Sequence, residues 1–167
     1  MYTEKEYSEA RLVAIKAHGN QDYDGIFPYE KHLDDVVRVL KSYGYSGKYI
    51  VAGYLHDAIE DGAISYNKIK THFGEEVAEM VFCVTDEMGR NRKEKKAKTL
   101  PKTASNRSAI TLKLADRIAN IEHGGKVEMY VKEYEEFCKY LRHDDQGAST
   151  KKMWAHLDKL LGVKEKV

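Results

Sequence analysis

Apolar residues in this chain return every three or four positions, in one segment after another, and glycine closes several of those segments. Between residues 30 and 43 the repeat is Leu33, Val36, Val37 and Leu40, followed by Gly44. That spacing describes one face of a helix. Residues 3–18 carry Ala10, Val13, Ala14 and Ala17 on one side, residues 75–86 turn Val77, Met80, Val81 and Val84 inward, and residues 107–122 centre on Leu112, Leu114 and Ala115. Further helices are expected over 65–73, 126–142 and 149–161, with a loop over 19–29 where Gly25 and Pro28 break the pattern. Strand-like alternation is sparse and the chain has 2 prolines, which argues against a β fold. With 167 residues, 42% of them hydrophobic, there is enough chain for a real core. The expectation is an all-α helical bundle in one domain, residues 1–167.

Composition removes several classes of function. The net charge is +1, so wholesale electrostatic binding to nucleic acid is not expected. No apolar run reaches the roughly 18 residues of a membrane span. Cys83 and Cys138 stand far apart with no C-x-x-C pair, and read as ordinary thiols of a reducing compartment. The polar start, residues 1–6, has no signal-like apolar run behind it, so the expected location is cytoplasmic. The pattern carries nothing that sets an oligomeric state.

The chemistry concentrates in Tyr54-Leu55-His56-Asp57-Ala58-Ile59-Glu60-Asp61. Residues 47–61 contain no proline and read as a largely buried helix. Residues four apart share a helix face, which would stack His56 with Glu60 and Asp57 with Asp61. Four such groups in an interior are costly without a metal or hydrogen-bond partners. The blander reading is a solvated helix end, since Gly62 follows and Ser65 can cap the next helix. His32 upstream and Asp116 downstream complete a set of two His and two Asp from separate helices. A mixed imidazole and carboxylate shell suits Mn, Fe or Zn. His72, His123, His143 and His156 have no such partner spacing, and Trp154 and the Tyr-rich stretch 129–140 read as core and helix surface.

Residues 89–107 are the odd segment. Arg90, Arg92, Lys93, Lys95, Lys96, Lys98, Lys102 and Arg107 stand there against one acid, Glu94. The segment reads as a solvated, mobile loop, or else as an electrostatic clamp over a polyanionic ligand such as a nucleotide phosphate. No aromatic residues interleave with the charges, as a single-stranded nucleic-acid platform would need.

Taken together, these residues resemble the HD-domain phosphohydrolases. More narrowly, they resemble the RelA/SpoT-type alarmone hydrolases and their small stand-alone relatives, the metazoan SpoT homologues. Ala17-His18-Gly19-Asn20-Gln21 is similar to that family's Ala-His-x-x-Gln opening, and Pro28-Tyr29-Glu30-Lys31-His32 to its Pro-Tyr-x-x-His segment. Leu55-His56-Asp57-Ala58-Ile59-Glu60-Asp61 resembles its Leu-His-Asp-x-x-Glu-Asp motif. Phe73-Gly74, Val84-Thr85-Asp86 and Lys113-Leu114-Ala115-Asp116-Arg117, with Asn120 one turn on, follow in the family's order. The resemblance spans residues 5–142.

It implies an HD-domain helical bundle and a single Mn²⁺ held by His32, His56, Asp57 and Asp116. Glu60 and Asp61 would be the catalytic carboxylates near the attacking water, and Asn120 would face the ligand. The implied reaction removes the 3′-pyrophosphate from guanosine tetra- or pentaphosphate, giving GDP or GTP and pyrophosphate. Two departures bear on the substrate. The family has basic residues two and three positions after its Gln, where they meet substrate phosphates; here Tyr23 and Asp24 stand there. The Pro after the first metal-binding His is Leu33 here. His18, Lys31, Lys95 and Lys96 are the side chains from which charge and contact for a nucleotide would come instead.

A divalent cation lowers the pKa of bound water to about 7 and polarises a phosphoryl oxygen. Glu60 can orient that water or take its proton. Asp61 can do either, or protonate the leaving oxygen, and the sequence does not divide these roles. Three readings follow in order: an alarmone pyrophosphohydrolase, an HD phosphohydrolase for another nucleotide, and a catalytically inactive nucleotide-binding sensor.

Overall fold

Side-chain caps written in the sequence start four of the helices. Thr3 accepts a hydrogen bond from the Glu6 amide at 3.4 Å, Ser65 from Lys68 at 3.2 Å, Asn91 from Glu94 at 2.9 Å and Asn106 from Ala109 at 3.0 Å. Each satisfies a backbone donor that the first helical turn leaves without a partner. The computed structural model describes residues 2–19, 21–23, 27–60, 62 and 64–163. Among these it contains nine helices: α1 (Glu4–His18), α2 (Tyr29–Ser42), α3 (Lys48–Leu55), α4 (Tyr66–Phe73), α5 (Glu75–Val84), α6 (Arg92–Ala104), α7 (Arg107–His123), α8 (Val127–Leu141) and α9 (Ala148–Leu160). Strand pairing among the described residues is confined to β1 (Asp22–Tyr23) against β2 (Phe27–Pro28), antiparallel, with Asp22 opposite Pro28 and Tyr23 opposite Phe27. The fold is all-α, as the periodicity required. No described helix is long and apolar enough to cross a membrane.

Helices α2, α3, α5 and α7 pack on one another at the centre, α1 lies on α3, and α9 lies on α7. Leu33, Val36 and Leu40 of α2 and Leu112, Leu114 and Ala115 of α7 are fully buried. Gly53 lies where α2 and α3 approach. A Cβ there would come within 3.0 Å of a Leu40 methyl and 3.1 Å of a Val37 methyl, tighter than ordinary contact, so glycine lets the helices meet without displacing either side chain. That approach brings the start of α2 beside the end of α3.

Two expectations need correction. The helix expected over 47–61 stops at Leu55, and His56–Glu60 run on as turns. The Ala58 amide bonds Leu55 O at 2.9 Å, three residues back, which tightens the chain out of the α-helix. The side chain of His56 takes up a helix-end carbonyl, with Nδ1 2.7 Å from Gly53 O. Such carbonyls have no backbone partner at a helix end, so the ring both terminates α3 and is fixed by it. The second correction concerns residues 89–107, read as a mobile loop or as an electrostatic clamp; the loop reading fails. Residues 92–104 are helix α6. Asn91 caps it, and Thr99, Leu100 and Thr103 form a narrow buried stripe that the lysines between them conceal in the sequence. Three of its cations are held by partners: Lys96 by Asp86 at 2.9 Å, Lys102 by Thr85 O at 2.8 Å, and Arg92 by both oxygens of Glu133 at 2.6 and 3.0 Å.

Candidate active site

His32, in the first turn of α2, and His56, just past α3, are both buried, and their Nε2 atoms lie 3.2 Å apart. Asp57 Oδ2 is 3.1 Å from His56 Nε2 and 3.9 Å from His32 Nε2. Asp116, in the middle of α7, puts Oδ1 at 3.0 Å from His32 Nε2 and 3.3 Å from His56 Nε2. His32, His56 and Asp57 each offer a donor atom within 4.8 Å of the others. The donor set fits a divalent cation. His56 gives Nδ1 to a carbonyl, so in the neutral ring that a metal would bind, Nε2 carries the lone pair. His32 has no hydrogen-bond partner at its buried Nδ1, and is held instead by ring contacts, 4.8 Å to Tyr23 and 5.7 Å to Tyr29.

The electrostatics agree with that fit. Burial opposes charge on His56, yet Asp57 and Asp116 raise its pKa well above the ordinary histidine value. Burial also opposes charge on both carboxylates, and the neighbouring imidazoles, with Lys113 for Asp116, hold them below the usual range. A cluster that draws a proton this strongly draws a cation for the same reason. Polar neighbours orient the carboxylates. The Tyr29 hydroxyl donates to Asp57 Oδ2. Lys113 and Asn120, a turn either side of Asp116, reach its Oδ2 and Oδ1, each at 3.3 Å.

Above this cluster lies a cavity of about 190 Å³, whose lining includes His32, Asp57, Glu60, Asp86, Lys96 and Asp116. Tyr23, Tyr29, Arg92, Lys113, Arg117, Asn120 and Tyr130 complete it. A smaller compartment of about 20 Å³ lies deeper, bounded by His56, Asp57, Glu60, Asp86, Lys113 and Asp116. Glu60 borders both, and its pKa is raised by burial and by the charges of Asp57 and Asp86. A second outer cavity, about 280 Å³, opens against α6 and α8 and shares Arg92, Lys96 and Arg117 with the first.

The residues singled out from sequence divide by place. His32, His56, Asp57 and Asp116 converge; Glu60, Asn120 and Lys96 line the cavity. Asp61 and Asp24 lie outside the described residues. His18 is buried behind Tyr29, ring to ring at 4.2 Å. Lys31 is 2.8 Å from Asp35, and Lys95 is exposed; neither is among the residues lining the cavity. Sequence reasoning passed over Tyr29, Asp86, Arg117 and Tyr130, and named Arg92 only as one cation of the basic run. The first three sit inside quoted motifs and could have been read as lining residues. Tyr130 gave no signal beyond its aromatic neighbours. Arg117 is buried between the rings of Tyr130 and Phe137, at 4.5 and 4.3 Å. Tyr23 spends its hydroxyl on Asn120 Oδ1 at 2.8 Å.

The family model for the HD domain matches residues 10–163. The chain belongs to the HD domain family. Among curated HD relatives, a guanosine-3′,5′-bis(diphosphate) 3′-pyrophosphohydrolase of Aquifex aeolicus (strain VF5) is 34% identical over 123 residues, covering 71% of this chain and 18% of that protein. The bifunctional (p)ppGpp synthase/hydrolase SpoT of Escherichia coli (strain K12) is 32% identical over 130 residues, covering 74% of this chain and 18% of its own length. This HD chain thus spans under a fifth of those relatives. A solved structure of a metazoan ortholog of SpoT, described as hydrolysing ppGpp, superposes with a TM-score of 0.78 over 98% of this chain and 99% of that one, at 21% identity. The shared fold is the finding there.

Proposed function

We propose that this HD domain is a Mn²⁺-dependent pyrophosphohydrolase that cleaves the 3′-pyrophosphate of guanosine tetra- or pentaphosphate, releasing GDP or GTP and pyrophosphate. The observation that carries the reading is the convergence of two imidazole nitrogens and two carboxylates, with pair distances of 3.0–3.9 Å, beneath a cavity walled by cations. The names of the relatives supply the substrate, and the basic wall suits one this anionic.

His32, His56, Asp57 and Asp116 would hold the ion, which when bound activates water and polarises a phosphoryl oxygen. Two carboxylates balance the formal charge of a divalent ion, so the charge that draws in the phosphates comes from the cations lining the cavity. Glu60, with its affinity for protons raised by partial desolvation and by the charges of Asp57 and Asp86, accepts the proton of the attacking water. Lys113 and Tyr29 keep Asp116 and Asp57 turned to the centre. Arg92 and Arg117 carry permanent charge on the outer wall, where they neutralise the phosphates.

A second reading, an HD phosphohydrolase for another nucleotide, is favoured by one observation. Tyr23 stands where the resembled hydrolases carry a basic residue, and its hydroxyl is committed to Asn120. A phosphate-release panel separates the two: guanosine tetraphosphate against nucleoside mono- and triphosphates and a dinucleotide phosphate, each with Mn²⁺. Turnover of guanosine tetraphosphate with pyrophosphate as product is the expected result. Turnover of another nucleotide with that substrate inert would overturn it in favour of the second reading.

A further inference from the structure

We propose that Lys96 is a catalytic residue, the general acid that protonates the leaving oxygen, and that Asp86 positions it and returns its proton. The inference rests on the phosphohydrolase reading and assigns a step that reading leaves open. The compartments of the site set the direction of attack. The deep one, about 20 Å³, is bounded by Glu60 and by three of the four proposed metal ligands. It has room for about a single water. The substrate phosphate must therefore occupy the larger cavity above it. Attacking and leaving oxygens lie roughly in line in such displacements, so the leaving oxygen points outward.

The outer wall holds few groups that can give a proton there. Arg92 and Arg117 keep theirs at any working pH. Lys113 lies on the ligand side, 3.3 Å from Asp116. The Tyr29 hydroxyl is spent on Asp57 and that of Tyr23 on Asn120, and burial makes the Tyr130 hydroxyl a weaker acid than a free phenol. Lys96 lines the larger cavity and not the deep one. Its side chain is 12% exposed, and its Nζ donates to Asp86 Oδ1 at 2.9 Å. Asp86 borders both compartments, so it spans the space between Glu60 and Lys96. The groups acting on Lys96 are Asp86 after α5, Arg92 on its own helix, Lys113 on α7, and the more distant carboxylates Glu60 and Glu133. Burial and Lys113 outweigh Asp86, and bring the Lys96 pKa down to about 8.

The step balances. Water oxygen bonds to phosphorus while its proton passes to Glu60. The bond from phosphorus to the leaving oxygen breaks, its electron pair stays on that oxygen, and Lys96 supplies the proton. The proton on Glu60 then returns to Lys96 through Asp86. The sum is one water added across one ester.

The test compares two esters of the same phosphate group: the nucleotide, whose leaving alkoxide needs a proton, and a p-nitrophenyl ester, whose phenolate does not. Lys96→Met and Lys96→Arg are both made, the second because it keeps a cation beside Asp86. On the nucleotide, both variants are expected to lose kcat by about 10²–10⁴-fold, with the KM of Lys96→Arg preserved. On the nitrophenyl ester both stay near the parent. The alkaline limb of the parent pH profile should follow the Lys96 titration read by NMR of ¹³C-labelled lysine. Asp86→Asn should move limb and titration together to lower pH, because the carboxylate that favours the ammonium is gone. Full kcat for Lys96→Arg on the nucleotide, equal losses on both esters, or a limb that does not follow Lys96 would overturn the assignment. A parent enzyme that cleaves neither ester would remove the phosphohydrolase reading itself, before any variant is considered.

Discussion

The floor of the site and its outer wall are built in opposite ways. The floor takes one residue each from α2 and α7 and two from the turn after α3: Gly53 O fixes His56, and Lys113 and Asn120 fix Asp116, all within a helical turn, while Tyr29 at the start of α2 fixes Asp57 and ring contacts with Tyr23 and Tyr29 hold His32. The wall is assembled from α6, α7 and α8, and its cations are held by carboxylates of other segments, Arg92 by Glu133 on α8 and Lys96 by Asp86 after α5. A floor made this way should fail all at once when a ligand is lost. A wall of several cations should weaken by degrees.

The largest effect should come from the floor. Asp57→Ala is expected to abolish both Mn²⁺ binding, followed by calorimetric titration, and hydrolysis; a variant that still takes up the ion would break the distinction. Glu60→Gln comes next. Metal uptake should be unchanged while kcat falls by about 10²–10⁴-fold, the span of a lost general base. Loss of the ion from this variant would make Glu60 a ligand and redraw the floor. Tyr29→Phe removes only the hydroxyl that orients Asp57, and should weaken Mn²⁺ affinity by about 10–100-fold.

The wall gives the smaller effects. Arg92→Met is expected to raise KM with kcat nearly held, the mark of binding lost equally from ground and transition state. Lys95→Ala, on the exposed side of the same helix, should raise KM by much less. Equal effects of the two in steady-state kinetics would mean that the helix does not face the substrate as Arg92 and Lys96 suggest.

The same contrast decides what was legible beforehand. His32, His56, Asp57 and Asp116 could be read because each ligand is a distinctive residue in a short motif, and for His56 and Asp116 the orienting partners lie within one helical turn. Helix order could be read because Leu33, Val36, Val37 and Leu40 keep a strict period. The wall could not. The stripe of Thr99, Leu100 and Thr103 is too narrow to show a period among lysines, and the carboxylate that turns Arg92 inward is Glu133, 41 residues on. The end of α3 was misplaced because Ala58 and Ile59 continue an apolar pattern, while the bond from His56 to Gly53 O that helps close the helix leaves no mark on periodicity. Tyr130 enters the cavity only because α8 packs beside α6 and α7.

Phosphorus NMR of guanosine tetraphosphate incubated with the protein tests the central claim most directly, first after chelation and then after Mn²⁺ is restored. The expected spectrum is unchanged substrate in the chelated sample, then GDP and pyrophosphate growing together once the ion returns. Substrate that stays intact with Mn²⁺ present, or cleavage that proceeds undiminished in chelator, would contradict the account.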